Sequence, residues 1–334
     1  MEIPGLPDAV RVAPADLPRE EWLLCRRQGI GGSDIAAICG LNPYTSALAV
    51  YYDKRGELPE SGDREDARWG RRLEAVVADG FSEDTGIPVR PSPGTVVHRD
   101  RPWMLANLDR LADDPDDPAI LEIKTRSAWQ LMDWAHAVPD GPALQALWYM
   151  AVSGARHAYV AALIGGNTLR WHHMERNQAL IDQLIEISEA FWADVLAGRP
   201  PAPDDRETTT QMLARRTVPE TSCQVDLAEV RPLLDRRDEL KAQIAEVKHE
   251  LCGVENRLIA QLNGAEAALA GDDVAYSYAP SGGMATKRFR TDHPDLWEQY
   301  QTSGQVFDLT RFKAEQADLY TAYRSRSLTR KDTA

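Results

Sequence analysis

A mixed α/β fold is predicted for residues 21–199 of this 334-residue chain, and three observations predict it. The glycine-rich turn Gly29-Ile30-Gly31-Gly32-Ser33-Asp34 precedes the apolar helix start Ile35-Ala36-Ala37-Ile38, with Ser33 or Asp34 placed to cap it. Two apolar runs, Trp103 to Ala112 and Ala119 to Lys124, flank an acidic Pro-containing turn and read as a β-hairpin. Beyond it the period alternates. Pro142 to Val152 reads as helix, Ala158 to Ile164 and Thr168 to Met174 as paired strands, and Gln178 to Ala197 as an amphipathic helix stopped by Gly198.

The remaining elements follow from local signals. Residues 1–20 are Pro-rich without a period and read as a loose lead-in. Short helices are expected over Glu21 to Arg27 and Ser46 to Tyr52. A longer one over Ala67 to Phe81 carries Leu73, Val76 and Val77 on one side. Short strands are expected at Val89 and over Thr95 to His98. Pro200-Pro201-Ala202-Pro203 opens a linker assigned to 200–224. From 225 the texture changes to a helical appendage. Leu233, Leu240, Ile244, Val247, Leu251, Val254 and Leu258 fall mostly at alternating three- and four-residue steps, with Arg237 on one seam position. That is a coiled-coil-like seam over about three heptads. A small β segment through Tyr278, a helix over Phe307 to Tyr323 and a frayed basic end from Arg324 complete the chain.

Composition narrows the function class. Hydrophobic residues make up 43% and charged residues 27%, the balance of a soluble globular protein. There is no apolar run of about 18 residues and no basic, then apolar, leader, so no membrane association and a cytoplasmic location are expected. None of the four cysteines stands in a CxxC pair, and they read as ordinary reduced thiols. The histidines, including His136, His172 and His173, do not show the three or four convergent ligands that zinc requires. A net charge of −14 argues against a nucleic-acid partner when taken alone. A binding site uses a local field, however, and a site for a divalent cation needs acidic residues at its centre.

The most informative pattern is Asp109 followed by Glu122-Ile123-Lys124. Residues two apart on a strand share a face, so Glu122 and Lys124 point together with Ile120, while Leu121 and Ile123 point to the other side. Asp109, on the preceding strand, can lie beside Glu122. Two carboxylates and an ammonium in one small volume suit metal-assisted phosphodiester hydrolysis: the carboxylates hold a hard cation, and the cation activates water and offsets charge on the phosphate. The same residues also fit a solvated hairpin face with a cross-strand ion pair worth under about 1 kcal/mol.

The surrounding motifs give the pattern a context. Asp109…Glu122-Ile123-Lys124 resembles the PD-(D/E)xK nuclease signature. The order of the glycine-rich turn, then Arg68-Trp69-Gly70-Arg71-Arg72-Leu73-Glu74, then the signature, then Gln145, is similar to the YqaJ-like branch that includes lambda exonuclease. The resemblance covers residues 20–200, and Phe307-Asp308-Leu309-Thr310-Arg311-Phe312-Lys313-Ala314 adds a weaker similarity to tails of phage members. It implies a restriction-endonuclease-like core with a mixed central sheet flanked by helices. It implies Mg2+, or Mn2+, held by Asp109, Glu122 and the Ile123 carbonyl, with Glu74 assisting, Lys124 serving the attacking water and Gln145 approaching the centre. Arg27 and Ser33 would form a pocket for a terminal 5′-phosphate, with Arg26 as the alternative to Arg27. The activity implied is a 5′-to-3′ exonuclease on linear duplex DNA in single-strand-annealing recombination, with an annealing-protein partner and a ring-like homo-oligomer, a trimer in some members. Two departures stand out: Ala106-Asn107-Leu108 replaces the signature's proline, and Leu147 stands where a glutamine often follows. Other functions stay open: an idle DNA-binding or recombination adaptor, and a nuclease of another polarity or substrate.

Overall fold

The computed structural model describes residues 2–58, 65–115, 117–215, 224–301 and 307–330. The chain divides into two compact units, Met1–Pro219 and Glu220–Ala334. The first opens with strands β1 (Glu2–Ile3) and β2 (Leu6–Ala13), then helices α1 (Arg19–Arg26), α2 (Gly32–Ile38), α3 (Ala47–Lys54) and α4 (Glu65–Thr85). Strands β3 (Val89–Pro91), β4 (Thr95–His98), β5 (Leu105–Asn107), β6 (Arg110–Ala112) and β7 (Ala119–Arg126) follow. Helix α5 (Asp140–Ser153), β8 (His157–Ile164), β9 (Thr168–Glu175), α6 (Gln178–Ala197) and α7 (Glu207–Arg215) complete the unit.

Two sheets result. One has the order β1-β2-β4-β5 and is antiparallel throughout. The other has the order β3-β6-β7-β8-β9 and is mixed, because β7 and β8 run parallel with α5 as the crossover while its other pairs are antiparallel. The fold is therefore the expected mixed α/β class with a mixed central sheet flanked by helices. Strand β7 is covered on both faces. Ile120 joins the core beneath α2, α5 and α6, while Leu121 and Ile123 join a second core built with Val77 and Phe81 of α4. The expected alternation therefore holds, but both faces are dry at the start of β7, as in a central strand with a parallel neighbour. On α4 the buried side is Val77, Ala78 and Phe81; Val76, expected with them, is exposed.

Three local expectations are corrected. The lead-in is not loose: Ala9, Val10 and Arg11 pair with His98, Val97 and Val96, and Leu6 and Ala9 are fully buried. Long-range pairing of this kind leaves no period in the partner's own sequence. Second, Trp103 to Ala112 is not one strand. It breaks at Leu108-Asp109, so that β5 belongs to one sheet and β6 to the other. Third, part of the expected 200–224 linker is helix α7, with Thr209 and Met212 buried. Arg206 ties this stretch down by donating to the carbonyl oxygens of Gly40 and Asn42. Residues 216–223 of the expected linker lie outside the described residues.

The second unit carries helix α8 (Leu227–Leu262), strands β10 (Ala267–Ala270) and β11 (Asp273–Met284), helices α9 (Thr286–Asp292), α10 (Pro294–Gln299), α11 (Leu309–Glu315) and α12 (Ala317–Ala322), and strand β12 (Arg324–Arg330). The expected frayed end is instead β12, which pairs antiparallel with β11; 331–334 lie outside the described residues. Phe289, Tyr300 and Phe312 form a small aromatic core that Phe307 and Tyr323 complete. The Phe307…Phe312 motif is thus structural here. No helix among the described residues is long and apolar enough to cross a membrane.

Candidate active site

The break between β5 and β6 puts Asp109 at the point where the chain passes from one sheet to the other. Arg110 pairs with Leu121 across β6 and β7, so the next position brings Asp109 beside Glu122. The Asp109 Oδ2 accepts from the Ile123 backbone N–H at 2.8 Å, and its carboxyl lies near enough to that of Glu122 for its charge to act on it. Glu122 is wholly buried and its Oε1 accepts from the Lys124 ammonium. The structure thus brings Asp109, Glu122 and Lys124 together. Burial first, and then the neighbouring Asp109 charge, push the Glu122 carboxyl up to about 8, against the pull of Lys124. Asp109 is also raised by burial, although Lys124 and the Ile123 N–H oppose the rise.

Glu74, on α4, approaches the same centre. It accepts from Arg110, and its carboxyl is raised by burial and then by the Asp109 charge. Among the described residues no three His, Cys, Asp or Glu side chains gather tightly enough to hold a metal between them, so Glu74 stands outside the Asp109–Glu122 pair. The donor set fits a hard cation on two counts. Two carboxylates converge where burial penalises their charge, and the buried Glu122 Oε2 has no hydrogen-bond partner among the described residues.

A second cluster holds the glycine-rich turn. Ile30 bridges to Met104, and Gly29 packs so closely that a Cβ would lie 2.7 Å from the Trp103 carbonyl carbon. Asp34, read from sequence only as a helix cap, is its buried hub. Its carboxylate accepts from Gly31 N–H at 2.9 Å and pairs with Arg26 at 2.7 Å and with the buried Lys54 at 2.6 Å. Lys54 also donates to the Arg26 carbonyl at 3.0 Å. Arg27 lies 3.9 Å from Asp53, and Ser33 is exposed at the turn. Arg26 and Arg27 therefore sit in different surroundings, one anchored by Asp34 and the other beside Asp53.

Tyr149 of α5 stands between the clusters, and sequence reading missed it. Burial, then the charges of Glu122 and Asp109, push its phenol well above the usual value, while Arg26 opposes. Gln145, one turn earlier, donates to the Tyr149 hydroxyl at 2.9 Å. The expected approach of Gln145 is thus a contact with Tyr149. Both side chains pack on Gly32, where a Cβ would stand 2.9 Å from Gln145 Cγ and closer still to the Tyr149 ring. Gly32→Ala is expected to cost about 1–3 kcal/mol through overpacking, measured by urea unfolding. An unchanged midpoint would show that α5 yields freely here.

Fold and site together define a mixed-sheet protein with a buried carboxylate pair and an adjoining lysine. The YqaJ-like viral recombinase domain matches residues 21–156. The protein YqaJ of Bacillus subtilis (strain 168), itself described as uncharacterized, is 33% identical over 293 residues, covering 85% of this chain and 91% of the relative. The chain belongs to the YqaJ-like viral recombinase family. Among solved structures, the alkaline exonuclease LHK-Exo from Laribacter hongkongensis is similar at 19% identity and a TM-score of 0.46, covering 59% of this chain and all (100%) of that one. A phage-related exonuclease from Haemophilus somnus 129PT is similar at 10% identity and a TM-score of 0.37, covering 57% of this chain and 96% of that one.

Proposed function

We propose that this protein is a Mg2+-dependent DNA exonuclease, with Mn2+ as a competent substitute, acting 5′-to-3′ from the ends of linear duplex DNA. The observation that carries the reading is the pair of the buried Glu122 and the half-buried Asp109 beside Lys124. Asp109, Glu122 and the Ile123 carbonyl would hold the cation, with Glu74 as an outer support through Arg110. The cation supplies positive charge against the phosphate oxygens and makes water a better nucleophile. The chain's own groups do the rest. Lys124, partly exposed on the same face as Glu122, orients the attacking water by hydrogen bonding and balances the charge that grows on the phosphate. Burial of Glu122 on a central strand, and the Ile123 N–H that holds Asp109, fix the two carboxylates without reorganisation.

The 5′-phosphate would lie against the glycine-rich turn, held by Ser33 and by Arg27 or Arg26. Arg26 has the better support, because Asp34 fixes its guanidinium and Tyr149 links that cluster to the carboxylates. Gln145 acts as a positioning residue through Tyr149. The family reading adds a single-strand-annealing protein as partner, a ring-like homo-oligomer and a cytoplasmic location.

End-labelled linear duplexes carrying a 5′-phosphate or a 5′-hydroxyl test the reading. Mg2+-dependent release of nucleotides from the 5′ end is expected, faster on the phosphorylated duplex by about tenfold or more, the worth of one charge-assisted contact. Arg26→Ala should erase that preference. Release from 3′ ends would overturn the polarity, and no Mg2+-dependent product would leave an idle adaptor. Lys124→Ala is expected to lower kcat about 100-fold with KM little changed, since its contact strengthens in the transition state. Unaltered kcat would remove Lys124 from the chemistry.

A further inference from the structure

Helix α8 runs for 36 residues, capped by the Asp226 side chain and ended by Asn263 in the left-handed region. Its apolar stripe faces solvent: Leu233, Leu240, Ile244, Val247, Leu251 and Val254 are all exposed, Leu233 to 73%. Val230 near its start is half-buried, and the last turn is covered, where Leu258 and Ile259 are half-buried and Leu262 is buried. A leucine seam of this length in water calls for a partner helix.

The charges beside the seam select the partner and its direction. With Ile244 as heptad position a, the a positions are Val230, Arg237, Ile244 and Leu251, and the d positions are Leu233, Leu240, Val247 and Val254. A parallel copy would place Arg237 against Arg237 in the seam. It would also set Arg236 beside Lys241 and Glu250 beside Glu255, which are like charges at both flanks. An antiparallel copy reverses this. Aligned at the level of Ala242, it layers Leu240 on Ile244, Leu233 on Leu251 and Val230 on Val254, and sets Arg237 against Val247. The flanks then pair Arg236 with Glu250 and Glu229 with Arg257, each twice, with one like pair at the dyad, Lys241 with Lys241. Lys248 lies over the exposed Leu234, whose apolar surface its stem can cover. The overlap runs from Leu227 to Arg257, so the turn that the domain itself covers stays outside the pair. In the isolated chain Arg236 and Arg237 hold only exposed local contacts, with Glu239 at 2.9 Å and Asp238 at 3.1 Å, which are cheap to exchange.

We propose that α8 binds α8 of a second copy of this chain as an antiparallel coiled coil about 46 Å long, centred at the level of Ala242. The pairing is independent of the nuclease reading and would join two protomers, or two rings, through their second units. The test uses the full chain carrying Cys252→Ser, to remove the exposed thiol on α8, with either Gln243→Cys or Ile244→Cys added. Gln243 flanks the dyad only in the antiparallel pair, whereas Ile244 meets its own copy only in a parallel one. Under mild oxidation, Gln243→Cys is expected to give most of the chain as a disulfide-linked dimer, with Ile244→Cys at the level of the Cys252→Ser parent. Light scattering should show the molar mass halved by Leu240→Asp with Leu251→Asp. A crosslink at 244 instead of 243, crosslinking at neither position, or a mass unmoved by the aspartates would each overturn the proposal.

Discussion

Glu122→Gln is expected to abolish Mg2+-dependent digestion while making the metal-free protein more stable. Both effects have one cause. In the wild type a wholly buried carboxylate lies beside a second, half-buried one, and its Oε2 has no hydrogen-bond partner among the described residues. Lys124 offsets only part of that charge. A neutral amide of the same shape avoids the cost that the raised carboxyl imposes near neutral pH, whether as a buried charge or as a proton taken up on folding, a gain of about 1–3 kcal/mol. In a unit of this size that gain corresponds to roughly 2–4 °C per kcal/mol in Tm. The same change removes a ligand from the cation, and a loss of about a thousandfold in kcat/KM, near 4 kcal/mol, is expected. Thermal scans with and without Mg2+ separate this from misfolding. Wild type should gain about 2.7 kcal/mol at a hundredfold excess over the dissociation constant, and Glu122→Gln much less. Undiminished digestion by the variant, or an equal Mg2+ shift, would take Glu122 out of the metal site.

Asp34→Ala carries the largest expected loss of stability. The carboxylate is buried between Arg26 and Lys54, and the Lys54 ammonium is itself fully buried. Removing it leaves two like charges facing each other with Gly31 N–H unsatisfied, a cost of about 3–5 kcal/mol. The pH dependence has a definite sign. Burial alone would raise the Asp34 carboxyl, but Lys54 and then Arg26 outweigh it and hold the group well below the usual carboxylate range. Its folded value lies below its unfolded value of about 3.9, so its stabilisation is complete above that pH and drains away as the pH falls below it. Acid unfolding between about pH 5 and pH 2 should therefore be shallower for Asp34→Asn than for wild type. Parallel acid-unfolding curves would show that Asp34 does not anchor the turn. A loss of the 5′-phosphate preference in Asp34→Asn is also expected, because Arg26 loses its fixed position.

The strand that carries Glu122, Ile123 and Lys124 was legible because its chemistry and its period lie in adjacent residues. Its partner Asp109 was legible by spacing, but the break at Leu108 was not, since an apolar run is equally consistent with one long strand or two short ones. Asp34 looked like a cap because the residues that give it another role, Arg26 and Lys54, sit in separate helices. Tyr149 was hidden in α5, a helix apolar on all sides, where one more aromatic reads as core. Strands β2 and β12 were missed for a related reason: each is defined by what it pairs with far along the chain. The seam of α8 was plain from its period, and the structure adds that the stripe from Leu233 to Val254 is exposed.

Asp109 stands on a joint and Glu122 in the middle of a strand clamped on both sides, which makes the gap between their oxygens a gauge of how the two sheets meet. A change that lets the smaller sheet slide, even among residues of β1 or β2 remote from Asp109, is expected to open or close that gap before it unfolds the unit. The N-terminal strands thus brace the sheet on whose edge the carboxylate pair depends.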